Sequence, residues 1–419
     1  MRCLRAISCQ HRQSRSPGAA AFTLIELLLS MAILASLMLV VTNVIGIVQR
    51  TWSRTSSKVS EFREARMALE LITRNLAQAT LNTYWQSIDN SGGATKTFQT
   101  LSDRSGAAAK GYVRQSELQF TCGPTATLLS GGSADKYPGH GVFFQATLGI
   151  TNLISGGGAV NTENMVNLLC GRGYFLNWGD DSAFRPPFLN AKTDIVRPRF
   201  RYRLMEYSPT AETNQIYLDT TTTDLSKRRP ITDRFNLWFQ EAAGATAQAQ
   251  TGEKASTRAF VRPIAENIIC MVISPQGDSK TALYGGGAGG KSDPTWIAPG
   301  YGFDSTVIDN SQSDTAYQSD TRTSTTLSQV TQHQLPPLIK VTLIAVDGPS
   351  GEKLAESSSL RGEISTALNG LFTKAQGYNN AASSYKKDLG TLEAKLIEKH
   401  LNYRIYTTTV IMKQAQWSS

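Results

Sequence analysis

The chain has 419 residues, a formal net charge of +9, and 40% hydrophobic against 18% charged residues. That is enough chain for one large folded unit or two small ones with a proper core. Four of the positive charges are Arg2, Arg5, Arg12 and Arg15, in a segment without acids. The remainder is an ordinary surface value, so the basic balance is not a nucleic-acid signature. Cys3 and Cys9 lie in the first segment, and Cys122, Cys170 and Cys270 lie far apart. No CxxC pair and no Cys/His cluster with zinc spacing occurs, so no metal or other cofactor is expected. In an oxidising compartment one disulfide and one free thiol are open to the last three cysteines, as are three buried free thiols.

The first element is an apolar run. After Glu26, no residue from Leu27 to Gln49 carries a charge. As a helix this run is about 35 Å long, enough to cross a hydrocarbon core of about 30 Å. A secretory signal places its small-residue cleavage site after the apolar core; here Gly18-Ala19-Ala20-Ala21 precedes it. The run therefore reads as a retained span. The arginines hold the N-terminus in the cytoplasm and place the chain from residue 50 onward across the membrane. Glu26 has two readings: a carboxylate that snorkels to the headgroups, or one that pairs with an α-amine, its own or a neighbouring subunit's, after a cut between Ala21 and Phe22.

Phe22-Thr23-Leu24-Ile25-Glu26-Leu27-Leu28 behind a short basic leader resembles the prepilin cleavage and methylation motif of type IV pilins and type II secretion pseudopilins. The resemblance implies cleavage at Ala21–Phe22 by a prepilin peptidase, N-methylation of Phe22, and Glu26 as the assembly carboxylate. That family usually carries Gly before the cut, where this chain has Ala21.

The helical pattern continues beyond Arg50. Phe62, Ala65, Leu69, Ile72, Leu76 and Ala79 form one apolar stripe, with Glu61, Arg63, Glu64, Arg66, Glu70 and Arg74 off it. With no proline between residues 22 and 84, the spacing predicts one long helix. The organisation expected is a leader over 1–21, a membrane helix over 22–49, its continuation over 50–84 and a β-rich soluble domain over 85–419. Residues Phe62–Leu76 resemble minor pseudopilins of the J class.

Expected strands are Glu117–Cys122, Gly141–Ile150, Tyr174–Trp178, Pro198–Tyr207, Phe235–Phe239, Asn267–Ser274, Leu338–Val346 and Tyr403–Lys413. The continuously apolar runs near 270 and 340 are expected as central strands covered by the helix. A last helix is expected at Lys386–His400, with Leu389, Leu392 and Leu396 on one side. Residues 276–334, poor in apolar residues, read as a flexible excursion. The fold class is therefore α+β: a long N-terminal helix packed on an antiparallel sheet domain with long loops, as in pilins. The segments Gln78–Trp85, Leu335–Asp347 and Asn402–Val410 resemble a narrower group, the Verru_Chthon cassette protein C family of Verrucomicrobia.

Other constellations carry less. In Arg197-Pro198-Arg199-Phe200-Arg201-Tyr202-Arg203-Leu204 a strand would align four guanidiniums on one face. A phosphate-binding stripe and a solvated or acid-paired outer face both fit, and the second is preferred. Gly285–Ser292 lacks the strand and helix that flank a phosphate loop. Asp304, Asp309, Asp314 and Asp320 fit no compact calcium loop. His11, His140, His333 and His400 are scattered, and no catalytic constellation is seen. The chain is thus expected to be a structural protein and not an enzyme: a minor pilin or pseudopilin of the inner membrane, with a periplasmic domain. Its expected partners are prepilin peptidase, other pilins and inner-membrane lipid. The alternative is a membrane-tethered binding module that does not polymerise.

Overall fold

The computed structural model describes residues 23–89, 96–97, 111–129, 133–150, 166–190, 195–209, 211, 238–240, 242, 260–277, 297–298, 300–307, 331–373 and 385–415. The chain divides into two compact units, Met1–Ser56 and Ser57–Ser419. The first described helix, α1, is Leu24–Leu76. It ends short of the expected residue 84. Ala79 already bridges Ala146, the Thr80 N–H donates to Gln145 O (2.9 Å), and Asn82 takes φ +47°. Tyr84 opens β1 (Tyr84–Asp89).

The second unit holds three antiparallel sheets. A small one has the order β2-β1-β3, with β2 at Lys96–Thr97 and β3 at Gly111–Gln115. The largest has the order β10-β4-β5-β6-β7-β8. Its strands are β4 (Thr121–Pro124), β5 (His140–Ile150), β6 (Val166–Gly179), β7 (Arg201–Tyr207), β8 (Val261–Glu266) and β10 (Phe303–Asp304). The third has the order β12-β11-β9, from β9 (Ile268–Gln276), β11 (Leu338–Val346) and β12 (Tyr403–Ile411). Short helices α2 (Thr125–Leu128) and α3 (Pro187–Asn190) lie in connections. Three longer ones, α4 (Gly348–Glu356), α5 (Ser358–Gly370) and α6 (Tyr385–Glu398), lie in the chain between β11 and β12. The α+β arrangement expected from the sequence is the one found.

Side-chain alternation explains the core. Ala65, Ala68, Leu69, Ile72 and Leu76 of α1 share one apolar cluster with Val142 and Phe144 of β5, Met271 and Ile273 of β9 and Val341 and Leu343 of β11. The intervening residues Cys270, Val272 and Ile344 face the other way, onto Leu354, Ile364, Leu368, Leu392 and Leu396 of α4, α5 and α6. Phe143, Phe175, Met205 and Tyr207 cover the reverse of the large sheet with Trp238 and Phe239. Strands buried on both faces read as continuous apolar runs, which is why residues near 270 and 340 look as they do.

Only β11 is central, however. β9 is an outer strand, and its open edge is met by the large sheet instead of by another strand. The Ile273 N–H donates to His140 Nδ1 (3.2 Å), and His140 Nε2 contacts Phe372 O (3.1 Å). Nδ1 also lies 3.2 Å from Ile273 O, so both ring nitrogens stand beside backbone carbonyls. Burial lowers the His140 pKa to about 4, against which its two backbone hydrogen bonds act. Gly139 precedes it at φ +69°, where an added Cβ would stand 2.7 Å from Met271 O. Only glycine permits that approach.

Three further expectations change. The segment 276–334 is not all excursion: Ile297, Ala298, Tyr301 and Phe303 are buried in core clusters, and β10 pairs with β4. Trp238 and Phe239 lie in a turn, while 235–237 are outside the described residues. α4 and α5 arise where the sequence suggested no helix. Asp347 caps α4 by accepting from the Ser350 N–H (3.1 Å), and Ser357 caps α5 by accepting from the Leu360 N–H (3.2 Å). Of the two states left open for the cysteines, the structure holds the second: Cys122, Cys170 and Cys270 are three buried free thiols.

Candidate functional site

The candidate site is the N-terminus of α1. Thr23 precedes the helix, and its carbonyl accepts from the N–H groups of Glu26 (3.1 Å) and Leu27 (3.2 Å). Its hydroxyl lies 3.4 Å from the Glu26 nitrogen. Thr23-x-x-Glu26 is therefore the capping-box spacing, Thr at the N-cap and Glu three residues on. Glu26 is exposed in the first turn, where a carboxylate complements the unpaired N–H groups of the helix end. Sequence reasoning treated Glu26 as an isolated charge and missed Thr23, although the T-x-x-E spacing was there to find it. Ala21 and Phe22, the expected scissile pair, lie outside the described residues.

From Leu27 to Gln49 the helix is uncharged and mostly hydrocarbon. Leu24–Trp52 is long and apolar enough to cross a membrane, and none of its most apolar window is buried within the protein. Leu28, Ile33, Leu37, Val40 and Val44 are all more than half exposed. The hydroxyls along this stretch are bonded to the helix itself. Ser30 donates to Leu27 O (2.9 Å), Ser36 to Ile33 O (2.8 Å), Thr42 to Met38 O (2.8 Å) and Thr51 to Ile47 O (2.9 Å). A hydroxyl satisfied by its own helix costs little in lipid, so these residues do not interrupt a span.

The arginine stripe resolves into an acid-paired face. β7 begins at Arg201, so Arg197 and Arg199 precede the strand and are exposed. Arg201 is buried and its Nη2 meets Glu352 Oε1 at 3.0 Å. Arg203, also buried, meets Glu266 Oε1 at 3.0 Å and donates to the carbonyls of Gly179 (2.8 Å), Asp180 (3.0 Å) and Arg199 (3.0 Å). Four guanidiniums do not line up for phosphates.

A second polar chain, invisible in the sequence, ties α1 to the large sheet. Asn75 Nδ2 donates to Tyr174 OH (2.7 Å), and Tyr174 donates to Glu206 Oε1 (3.0 Å). Glu206 is buried and is held by Arg172 (3.4 Å) and Arg262 (2.6 Å). Burial and the neighbouring Glu206 charge push the Tyr174 hydroxyl pKa up.

Asp304 accepts from Gln119 Nε2 (3.0 Å) and from the Thr306 N–H (2.9 Å), which makes it a turn-former. Asp309, Asp314, Asp320, Gly285–Ser292 and His11 lie outside the described residues. Among the described residues no group of three metal-ligating side chains comes together.

One family model, the prokaryotic N-terminal methylation motif, matches residues 17–42. The match covers the Pro17–Ala21 end of the leader, the expected cut and most of the span. No curated protein and no solved structure matches the chain. The motif supports a pilin- or pseudopilin-type protein that is processed by prepilin peptidase and anchored in a membrane.

Proposed function

We propose that the protein is a minor pilin or pseudopilin. It is cut between Ala21 and Phe22, methylated on the Phe22 nitrogen, and held in the inner membrane by α1 with its larger unit periplasmic. From there it assembles into, or primes, a type IV pilus-like or type II secretion-like filament. The role is structural and not enzymatic. The observation that carries the reading is the methylation motif at residues 17–42, which opens a span with one carboxylate at its mouth and no further charge before Arg50. In a filament core, that carboxylate neutralises the α-amine of a neighbouring subunit and sets axial register, because an unpaired charge in hydrocarbon is costly. A large body suits a filament tip better than a repeated position. The resemblances to J-class pseudopilins and to the Verru_Chthon cassette protein C family refine the same reading.

The test is co-expression with a prepilin peptidase, followed by mass spectrometry of the N-terminus. The expected product begins at N-methylated Phe22, and a chain still starting at Met1 would sink the proposal. Glu26→Ala is expected to be processed but excluded from filaments or minor-pilin complexes. Undiminished incorporation would remove Glu26 from its role. Processing without any incorporation of the parent chain would favour the tethered module that does not polymerise.

A further inference from the structure

The sheet edges of the larger unit are guarded in every described case but one. β2 and β10 have two residues each, and β3 has five. β8 carries Pro263, which has no N–H to offer, and its pairing with β7 shifts register at Leu204/Met205. The open edge of β9 is stopped by His140 and by the approach of Gly139. Short strands, prolines, irregular register and side-chain cover are the usual protections against strand addition. Among the described residues, β12 has none of them. Its nine residues pair with β11 from Leu338↔Ile411 to Val346↔Tyr403 without a register shift.

The ladder shows which groups of β12 are open. The Met412 N–H donates to Pro337 O (3.0 Å), and the Asp347 N–H donates to Asn402 O (3.1 Å). Even-numbered residues therefore turn their backbone groups toward β11, and alternation sends those of Tyr403, Ile405, Thr407, Thr409 and Ile411 outward. This set is symmetric about Thr407. Laid antiparallel against itself it pairs Thr407 with Thr407, Ile405 with Thr409 and Tyr403 with Ile411, in a register with roughly ten ladder hydrogen bonds. No like charges meet. Arg404, the one charged residue of β12, points to the opposite face, with its guanidinium 5.3 Å from the centroid of Phe62. Ile411, 70% exposed, gains the cover of Tyr403 from the second copy.

We propose that β12 is a self-pairing edge, through which two copies of this chain join their β12-β11-β9 sheets across a twofold axis at Thr407. The proposal is independent of N-terminal processing and adds an interface away from α1's apolar segment.

The test uses the full chain in detergent, with Cys3→Ser and Cys9→Ser to remove the leader thiols. Directly opposed hydrogen-bonded residues stand about 5.5 Å apart at Cα, within disulfide reach. Thr407→Cys is therefore expected to give a disulfide-linked dimer on mild oxidation. Light scattering should give twice the chain mass for the parent. It should give the single-chain mass for Thr407→Lys, in which like charges face each other on the axis. A monomeric parent, a dimer that survives Thr407→Lys, or a Thr407→Cys chain that does not cross-link would each overturn the proposal. A dimer insensitive to Thr407→Lys would place the contact elsewhere, for example between apolar helices. If Thr407→Lys does not fold, the cross-link alone decides.

Discussion

α1 is written twice in different solvents. From Leu24 to Trp52 it is apolar on all sides, its side chains lie open, and its hydroxyls are bonded to its own carbonyls. From Phe62 to Leu76 it is apolar on one stripe, and that stripe is buried: Ala65, Ala68, Leu69, Ile72 and Leu76 disappear into the core while Arg66, Met67, Glu70 and Arg74 remain outside. The first stretch is exposed among the described residues and has the composition of a membrane span. The second has its partner within the chain. The same residue type therefore has opposite consequences according to position.

The largest expected contrast is a buried charge. Ile72→Asp places an unpaired carboxylate in the main core, and we expect the larger unit to lose its cooperative thermal transition, since such changes cost more than about 4 kcal/mol. Leu34→Asp should leave that transition where it is and instead lower retention in membranes after carbonate extraction. Equal effects of the two changes on the melting curve would erase the distinction.

Next in size is pH. No titratable residue lies between Leu27 and Gln49, so membrane retention should not vary between pH 4 and 7. The larger unit should vary. His140 titrates near 6.5 when unfolded but at about 4 when folded, so between those values the unfolded chain binds the extra proton. Its stabilising contribution is complete above pH 6.5 and is lost as pH falls toward 4, a change on the order of 3 kcal/mol. Denaturant unfolding of His140→Gln should show a flatter profile across that window. An unchanged profile would remove His140 as the cause.

A smaller effect is expected for Asn75→Ala, which leaves the buried Tyr174–Glu206 chain without its α1 donor at a cost of about 1–2 kcal/mol. Ser36→Ala in the apolar stretch deletes a hydroxyl bonded only to its own helix and should not move the unfolding midpoint at all. The least is expected from Arg66→Ala. The Arg66–Glu70 pair (3.2 Å) is exposed on both sides, so loss of less than about 0.5 kcal/mol is expected in the same assay.

How much of this was legible depended on whether a residue's role was local. The stripe from Ala65 to Ala79 could be read because helix period and burial coincide. β11 could be read to its last residue because it is apolar throughout and begins after Pro336-Pro337. α4 and α5 were missed because they bury few apolar side chains, and their capping residues sit in a Ser- and Gly-rich stretch that resembles a loop. β10 was missed because its two residues are defined by β4, a partner far away in sequence. The arginine stripe was legible in kind, as the acid-paired face preferred from the sequence, but not in its partners. Its alternation is genuine, but Arg201 and Arg203 are answered by Glu352 and Glu266, which no spacing connects to them. At the candidate site, Glu26 was legible as chemistry, and Thr23 was legible too through the T-x-x-E spacing, though it was not read as a cap.

The three buried cysteines have a practical consequence. None is bonded to another, so the fold asks nothing of an oxidant and can form in a reducing compartment. Burial also raises the pKa of all three thiols, that of Cys270 to about 12, so in the closed state almost none is the reactive thiolate. They sit on three different strands of the larger unit, β4, β6 and β9. Each is therefore a native stopwatch: the rate at which a thiol reagent consumes it times the opening of its own strand, without any label having been introduced.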